Sequence, residues 1–248
     1  MHSLPDAPPP PAHGPTVAFV HGCTQGPTAW AKVRDHLSAR GIPSIAVDLD
    51  PTRFGGSGSV DCAVEVVRQL SGSERVLLVT TSCSGILAPV VAGLRPLERL
   101  VFVCAGLPDI GRSTSDQIAQ DGVLCSEWTE WMARGGAPDD PDAARRFMFH
   151  DCPEAALEWS LSTVRLFHPA PVYDEIAPMG AWPDVPSTYI LGTRDRIISR
   201  DWAMATVPSR LGVAPVEIDT GHCPQNSRPE LLAELLAGAA LKSKSSRV

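Results

Sequence analysis

The sequence predicts an α/β fold: a doubly wound, mainly parallel sheet of six strands with a helical cap inserted into it. Three observations carry this. Short, β-branched apolar runs alternate with amphipathic helical stretches from residue 16 to about 104, and again from 188 to 241. The runs are apolar throughout, as strands buried on both faces are. Between Cys104 and about Trp182 the alternation stops, and helical patterns alone fill the gap.

Residues 1–15 hold four consecutive prolines, Pro8 to Pro11, and suit neither helix nor central strand; a disordered or polyproline-like leader is expected. Strands are expected at 16–20, 45–48, 76–79, 100–104, 188–191 and 215–218. Residues 30–39 read as an amphipathic helix closed by Gly41, and 60–70 as the next. The glycine-rich segment 50–59 lacks both the GK[ST] of a phosphate loop and a G-x-G-x-x-G opening a helix, so a bare flexible loop is expected there. Helical patterns at 115–122, 126–134, 142–149 and 153–166 make up the expected cap, residues 108–179, with the core formed by 16–107 and 180–241. Helices at 202–207 and 229–241 and a polar tail over 242–248 complete the chain.

Composition narrows the function. The 248 residues are 44% hydrophobic and 20% charged, which suits one large globular α/β domain. A net charge of -7 without a Lys/Arg cluster argues against nucleic acid or an anionic membrane as partner. No run approaches the roughly 20 apolar residues of a membrane span. No basic segment leads into an apolar stretch at the N-terminus, so no secretory signal is expected. The seven cysteines are scattered without metal-ligand spacing, and their odd number does not suggest a disulfide framework, which points to a reducing cytoplasm. No metal or cofactor is expected, and the expected partner is a small-molecule substrate.

The chemistry gathers at strand ends. The run 76–79 passes through Thr80-Thr81-Ser82-Cys83-Ser84-Gly85 straight into a second apolar run, as a strand turning tightly into a helix would. Ser82 there can be a nucleophile if a base reaches it. The turn departs from G-x-S-x-G, with Thr80 and Ser84 in the glycine positions, and read alone it is also compatible with hydroxyls that merely cap a helix. Ser84 is the alternative nucleophile, though it lacks the place at the strand end. Asp195 and His222 follow the next strands, and a serine nucleophile needs a neutral imidazole to take its proton and a carboxylate to fix that imidazole. Asp219, three residues before His222, is the competing carboxylate. Cys23, Cys83 and Cys223 are expected near the pocket as small apolar fillers.

With these segments in hand, the chain resembles the α/β-hydrolase superfamily over roughly residues 16–241. FVHG at 19–22 looks like the oxyanion strand and turn, LLVTTSCSGI at 77–86 like the nucleophile elbow, LGTRDRII at 191–198 like the acid segment, and TGHCPQNSRPELLAELL at 220–236 like the histidine loop and closing helix. The string HGCTQGPTAW, with no room for a leading antiparallel strand pair, is similar to the compact branch of plant-type methylesterases and hydroxynitrile lyases. The resemblance implies Ser82 as nucleophile, Asp195 as acid, His222 as base, and the backbone N–H groups of Cys23 and Cys83 as oxyanion hole. It implies a serine hydrolase, a carboxylesterase acting on small to medium, largely apolar esters; the apolar preference rests on the tryptophan-rich cap. The lyases carry threonine and lysine where this chain has Gly22 and Cys223, so cyanide-releasing activity is not expected. The alternatives are a non-hydrolytic lyase or cyclase on the same scaffold, and a binding protein that has lost turnover.

Overall fold

A computed structural model describes residues 14–242. The leader expected over residues 1–15 and the tail over 242–248 thus lie almost wholly outside the described residues. Six strands form one sheet: β1 (Thr16–Val20), β2 (Ser44–Val47), β3 (Val76–Ser82), β4 (Arg99–Ala105), β5 (Ser187–Gly192) and β6 (Val216–Ile218). Their order is β2-β1-β3-β4-β5-β6 and every neighbouring pair is parallel, so the sheet is wholly rather than mainly parallel. The helices in chain order are α1 (Ala31–Ser38), α2 (Pro51–Phe54), α3 (Ser59–Gln69), α4 (Ala88–Leu94), α5 (Thr114–Gln120), α6 (Ser126–Ala133), α7 (Pro141–Ala143), α8 (Glu154–Ser162), α9 (Ala170–Asp174), α10 (Arg200–Leu211), α11 (Pro224–Ser227) and α12 (Pro229–Lys242). Among the described residues no helix is long and apolar enough to cross a membrane.

The strands' period of two sends alternate side chains to opposite faces, and each face has its own core. Val17, Phe19, Leu77, Val79 and Val101 meet Val33 and Leu37 of α1 and Leu232 and Leu236 of α12. Ala18, Val20, Leu78 and Phe102 meet the inner residues of α3, α4 and α10 on the other side. The chain steps from β1 outward to β2, then crosses back to β3 and runs the other way along the sheet. The helices after β1 and β3 therefore cover opposite faces, and a crevice opens between the carboxyl ends of these two strands, where ligands bind in such sheets.

Several expected elements are redrawn. Segment 50–59 is not a bare loop, because Asp50 accepts the Thr52 N–H at 2.8 Å and caps α2. The helix expected over 153–166 stops at Ser162. Beyond it Val164 forms an antiparallel bridge with Gln25, which helical backbone cannot do. The pattern at 142–149 resolves into α7 and a π-helical turn, Ala144–Met148. Helix α9 was not foreseen, and α10 runs further at both ends than 202–207.

The two sheet cores leave Trp128, Trp131 and Trp159, among the tryptophans between β4 and β5, unaccounted for. Trp128 and Trp131 stack at 5.6 Å, and Phe147 meets Trp128 edge-on at 5.1 Å, in a third apolar cluster that also takes in Ile197 and Cys223. Trp159 instead lies under the Lys32 ammonium at 4.0 Å, and Trp182 packs edge-on to Phe102 at 6.2 Å.

The glycine that the sharp turn after β3 requires is Gly85. A Cβ there would lie 2.1 Å from the Gly106 carbonyl oxygen. Gly238, inside α12, has nothing within 4 Å of such a Cβ. Gly85→Ala is expected to lose about 3 kcal/mol or more, as an overpacked rigid site does. Gly238→Ala is expected to gain up to about 1 kcal/mol from helix propensity. Urea denaturation should move the two midpoints in opposite directions.

Candidate active site

Ser82 ends β3 at φ 53° and ψ -129°, a left-handed conformation that costs a non-glycine residue on the order of 1–3 kcal/mol. It persists because its neighbours are tied on all sides. Ser84 Oγ accepts the Thr81 N–H at 2.9 Å and donates toward the Val20 or Thr81 carbonyl, at 3.1 and 2.8 Å. The Thr81 hydroxyl donates to Val103 O at 2.9 Å, and the Gly106 N–H donates to Ser82 O at 2.9 Å. The partner strand adapts as well: the β3/β4 register shifts at Ser82, and Cys104 is thrown out at φ 46°. Ser84 is therefore a buried brace of the turn, and its hydroxyl is fully engaged with backbone. Ser82 is half-buried on a cavity wall.

The second component comes from the loops after β5 and β6. His222 Nδ1 lies 2.9 Å from Asp195 Oδ2 and 3.1 Å from Oδ1, and both side chains are buried. Asp195 Oδ1 also accepts the N–H groups of Ile197 and Ile198, at 2.7 and 3.0 Å, which fixes the carboxylate before the imidazole arrives. Burial opposes the charged imidazolium, but Asp195, by its charge and its hydrogen bond, outweighs it, and the His222 pKa is raised above the usual 6.5. Asp219 is not the partner; its carboxylate is exposed and pairs with Arg194 at 2.7 Å. His222 and Ser82 line the same cavity, and among the described residues no hydrogen bond yet joins the Ser82 hydroxyl to the ring. Such contacts often close only around a substrate.

The loop after β1 supplies the third component. A Cβ on Gly22 would lie 2.9 Å from the Ser82 Cβ, so a larger residue there would strike the serine. His21, wholly buried, donates from Nδ1 to Gly22 O at 2.9 Å and accepts the Leu49 N–H on Nε2 at 3.1 Å. Burial lowers its pKa to about 4, so the ring stays neutral. The Cys23 N–H shares a rigid peptide plane with that Gly22 carbonyl, and holding one fixes the direction of the other. Arg165 pairs with Asp48 beside His21.

The cavity has a volume of about 390 Å³. Its lining is mostly apolar, from Ile118, Leu124, Met132, Ile197 and Ile198; among the described residues Trp128 is the only tryptophan in it, so the apolar character owes little to the tryptophans the sequence brought forward. Cys23, Cys83 and Tyr173 line this same cavity, and each shifts the titration of the others. Cys223 is buried and directed at Gln25 rather than lining the cavity. Among the described residues no group of three or more His, Cys, Asp or Glu side chains could hold a metal ion.

Three residues from the segment between β4 and β5 were not foreseen. Tyr173 joins the cavity lining from α9. Asp151 Oδ2 accepts the Gly221 N–H at 2.7 Å, bracing the backbone just before His222. Thr163 meets Gln25 across the crevice at 2.8 Å. None sits at a strand end or in a motif, so no local pattern marks them.

A wholly parallel sheet of this order, a left-handed serine after β3 and a His–Asp pair from later loops define the α/β-hydrolase fold. The sequence matches the alpha/beta hydrolase family over residues 17–235, and the chain belongs to that family. Within it the similarity runs to the plant methylesterase type. Methylesterase 2 of Arabidopsis thaliana is 25% identical, over 90% of this chain and 94% of the relative. A probable hydrolase, R7, from a Phoma species is 26% identical, over 91% and 98%. Among solved structures, polyneuridine aldehyde esterase superposes with a TM-score of 0.72 at 18% identity, over 92% of this chain and 100% of that one. An extracellular α/β-hydrolase from a Paenibacillus species gives 0.71 at 19%, over 90% and 98%. At these identities the structural likeness establishes the fold.

The thiols sit in different electrostatic surroundings. The hydrogen bond from Cys83, against burial and helped by Tyr173 and His222, lowers the Cys23 pKa to about 7. Donating that bond, together with burial, raises Cys83 well above its usual value. Burial raises Cys62 to about 12 and Cys125 and Cys152 to about 11, and lifts Cys104 and Cys223 as well. Substoichiometric iodoacetamide at about pH 8 should therefore alkylate Cys23 first, since the thiolate is the nucleophile. Peptide mass mapping reads the order. Cys83 reacting first would mean that the shared hydrogen bond runs the other way.

Proposed function

We propose that the protein is a serine carboxylesterase. The observation that carries this reading is the meeting, on one apolar cavity, of the left-handed Ser82 and the buried Asp195–His222 pair. In the proposed reaction Ser82 Oγ attacks the ester carbonyl carbon while His222 Nε2 takes the hydroxyl proton. Asp195, bonded at Nδ1, holds the tautomer that leaves Nε2 free and steadies the imidazolium. The oxyanion is received by the N–H groups of Cys23 and Cys83, whose direction does not have to be found anew in each turnover. The imidazolium then gives its proton to the departing alcohol, leaving an acyl-serine. Water, deprotonated by the same histidine, releases the acid.

The substrate we infer is an ester of a small to medium apolar acid, matched to a cavity of about 390 Å³ lined by aliphatic side chains. The relatives named as methylesterases favour a small alcohol as the leaving group. Residues 108–179 act as a cap, contributing much of the wall opposite Ser82. Against lyase chemistry stand Gly22, with no space for a β-branched side chain beside Ser82, and Cys223, neither cationic nor turned to the cavity.

A fluorophosphonate probe tests the assignment by intact mass. Wild type should take up one equivalent and Ser82→Ala none. Ser84→Ala should still label, while losing about 1–3 kcal/mol of stability because the buried Thr81 N–H is left unpaired. Labelling that survives in S82A and vanishes in S84A would transfer the nucleophile.

The pH dependence tests the base. Neutral His222 is the active form, so kcat/KM should fall on the acid side with an apparent pKa above 6.5, in line with the raised value. Asp195→Asn removes the charge that raises it. The acid limb should move to lower pH, and kcat should drop by up to about 10⁴-fold through the wrong tautomer. An unmoved limb would detach Asp195 from His222.

A further inference from the structure

Behind the cavity lies a buried polar cluster that the proposed reaction does not use. Gln25, in the loop after β1, is 4% exposed and spends all four of its hydrogen-bonding positions on other segments. Its Nε2 donates to Thr163 Oγ1 at 2.8 Å and to Asn226 Oδ1 at 3.0 Å. Its Oε1 accepts from Gln225 Nε2 at 2.8 Å and from the Cys223 thiol at 3.7 Å. The orientation of the amide follows from its partners, because the Thr163 hydroxyl is already committed as donor to Ser160 O at 2.6 Å. Thr163, Asn226 and Gln225 are each at most 2% exposed.

These partners lie on three pieces of chain that matter separately. Gln25 is two residues after Cys23. Cys223, Gln225 and Asn226 follow His222 directly. Thr163 begins the stretch that runs antiparallel to the loop after β1, where Val164 bridges Gln25, the Arg165 N–H donates to Thr24 O at 3.1 Å, and the Phe167 N–H donates to Cys23 O at 2.6 Å. One amide thus joins the loop bearing the Cys23 N–H to the loop bearing His222, and both to the segment between β4 and β5.

We propose that Gln25 is a positioning residue that holds the Cys23 N–H and the His222 ring in mutual register. It touches no reacting atom. The role rests on the esterase reading given above, in which that N–H receives the oxyanion and that ring moves the proton. A buried amide suits the task. Its planar geometry fixes four partners at once, and leaving any of them unpaired in the interior is costly, so the alternative arrangements are excluded. An aliphatic residue of the same size would fill the space without fixing the angle between the loops.

Two variants test it. Gln25→Leu keeps the volume and removes all four bonds; Thr163→Val is isosteric, removes the hydroxyl that accepts from Gln25 and donates to Ser160 O, and serves where the first fails to fold. In Q25L, kcat should fall about 10–100-fold, the range for a displaced catalytic group, with KM within about threefold. T163V should fall about threefold to tenfold. A trifluoromethyl ketone, which adds to the serine and forms an oxyanion, should lose affinity by the same factor as kcat/KM, while the product acid binds as in wild type. A residue of merely structural importance would weaken both ligands together or neither.

Amide hydrogen exchange on the full chain supplies a readout independent of turnover. Peptides covering residues 20–26 and 220–227 should exchange faster in both variants, with the strands unchanged. Unaltered exchange and an unaltered ratio of the two affinities would overturn the role of Gln25. Wild type that refuses the fluorophosphonate would bring down the esterase reading instead, and exchange alone would then decide whether Gln25 clamps the loops.

Discussion

The site depends on one backbone conformation, the left-handed Ser82 at the end of β3. A residue in that region stays there only if its surroundings leave no alternative. Here the restraint is a set of hydrogen bonds whose geometry is inherited from the sheet: Ser84 to the β1 and β3 backbones, Thr81 to β4, Gly106 back to Ser82. Each bond contributes about 1 kcal/mol, and together they offset a strain of similar size. The price is a local irregularity in β4, where Cys104 leaves the ladder. Strand order completes the arrangement, because the reversal between β1 and β3 sets Gly22 against Ser82 and leaves the crevice open above them.

The segment between β4 and β5 is joined to each part of the site by contacts of a different kind. Backbone bonds run from residues 163–167 to the loop after β1. Leu124 bridges Ile198 just beyond Asp195, with Cys125 N donating to Ile197 O at 2.9 Å. Asp151 holds Gly221 before the histidine. The segment that lines much of the cavity thus also contacts the loops beneath it. A third apolar cluster around Trp128 and Phe147 gives this segment a core of its own.

Much of this was legible in the sequence, for a physical reason. In a parallel sheet the residues that face a ligand follow strand ends, and buried strands announce themselves as apolar runs; Ser82, Asp195 and His222 could be found by reading what comes next. That logic alone does not separate Asp195 from Asp219, since both follow strand ends. What separates them is that Asp219 is exposed and paired with Arg194, while Asp195 is buried against His222. The departure from G-x-S-x-G became intelligible only in three dimensions. The glycine demanded by close approach is Gly85, one place further on, and Ser84 has a use that a glycine would not serve. What stayed hidden was long-range. Gln25 meets partners 138 and 201 residues away, and no local periodicity records such a meeting. The helix expected over 153–166 failed likewise, because pairing with the loop after β1 overrides local propensity in its last turn.

The dispersed attachment of this segment bears on how such a protein could diverge. A lid hinged at two points can be exchanged between relatives as a cassette, carrying its specificity with it. A segment that contributes Asp151 to one loop, Thr163 to another and Leu124 to a third cannot, since a foreign replacement would have to supply all three at matching positions before the chain regained activity. New specificity is more accessible by single changes at cavity positions that hydrogen-bond to none of these loops, such as Met132. In a lineage built this way, substrate range would drift in small steps while the architecture around the serine stayed fixed.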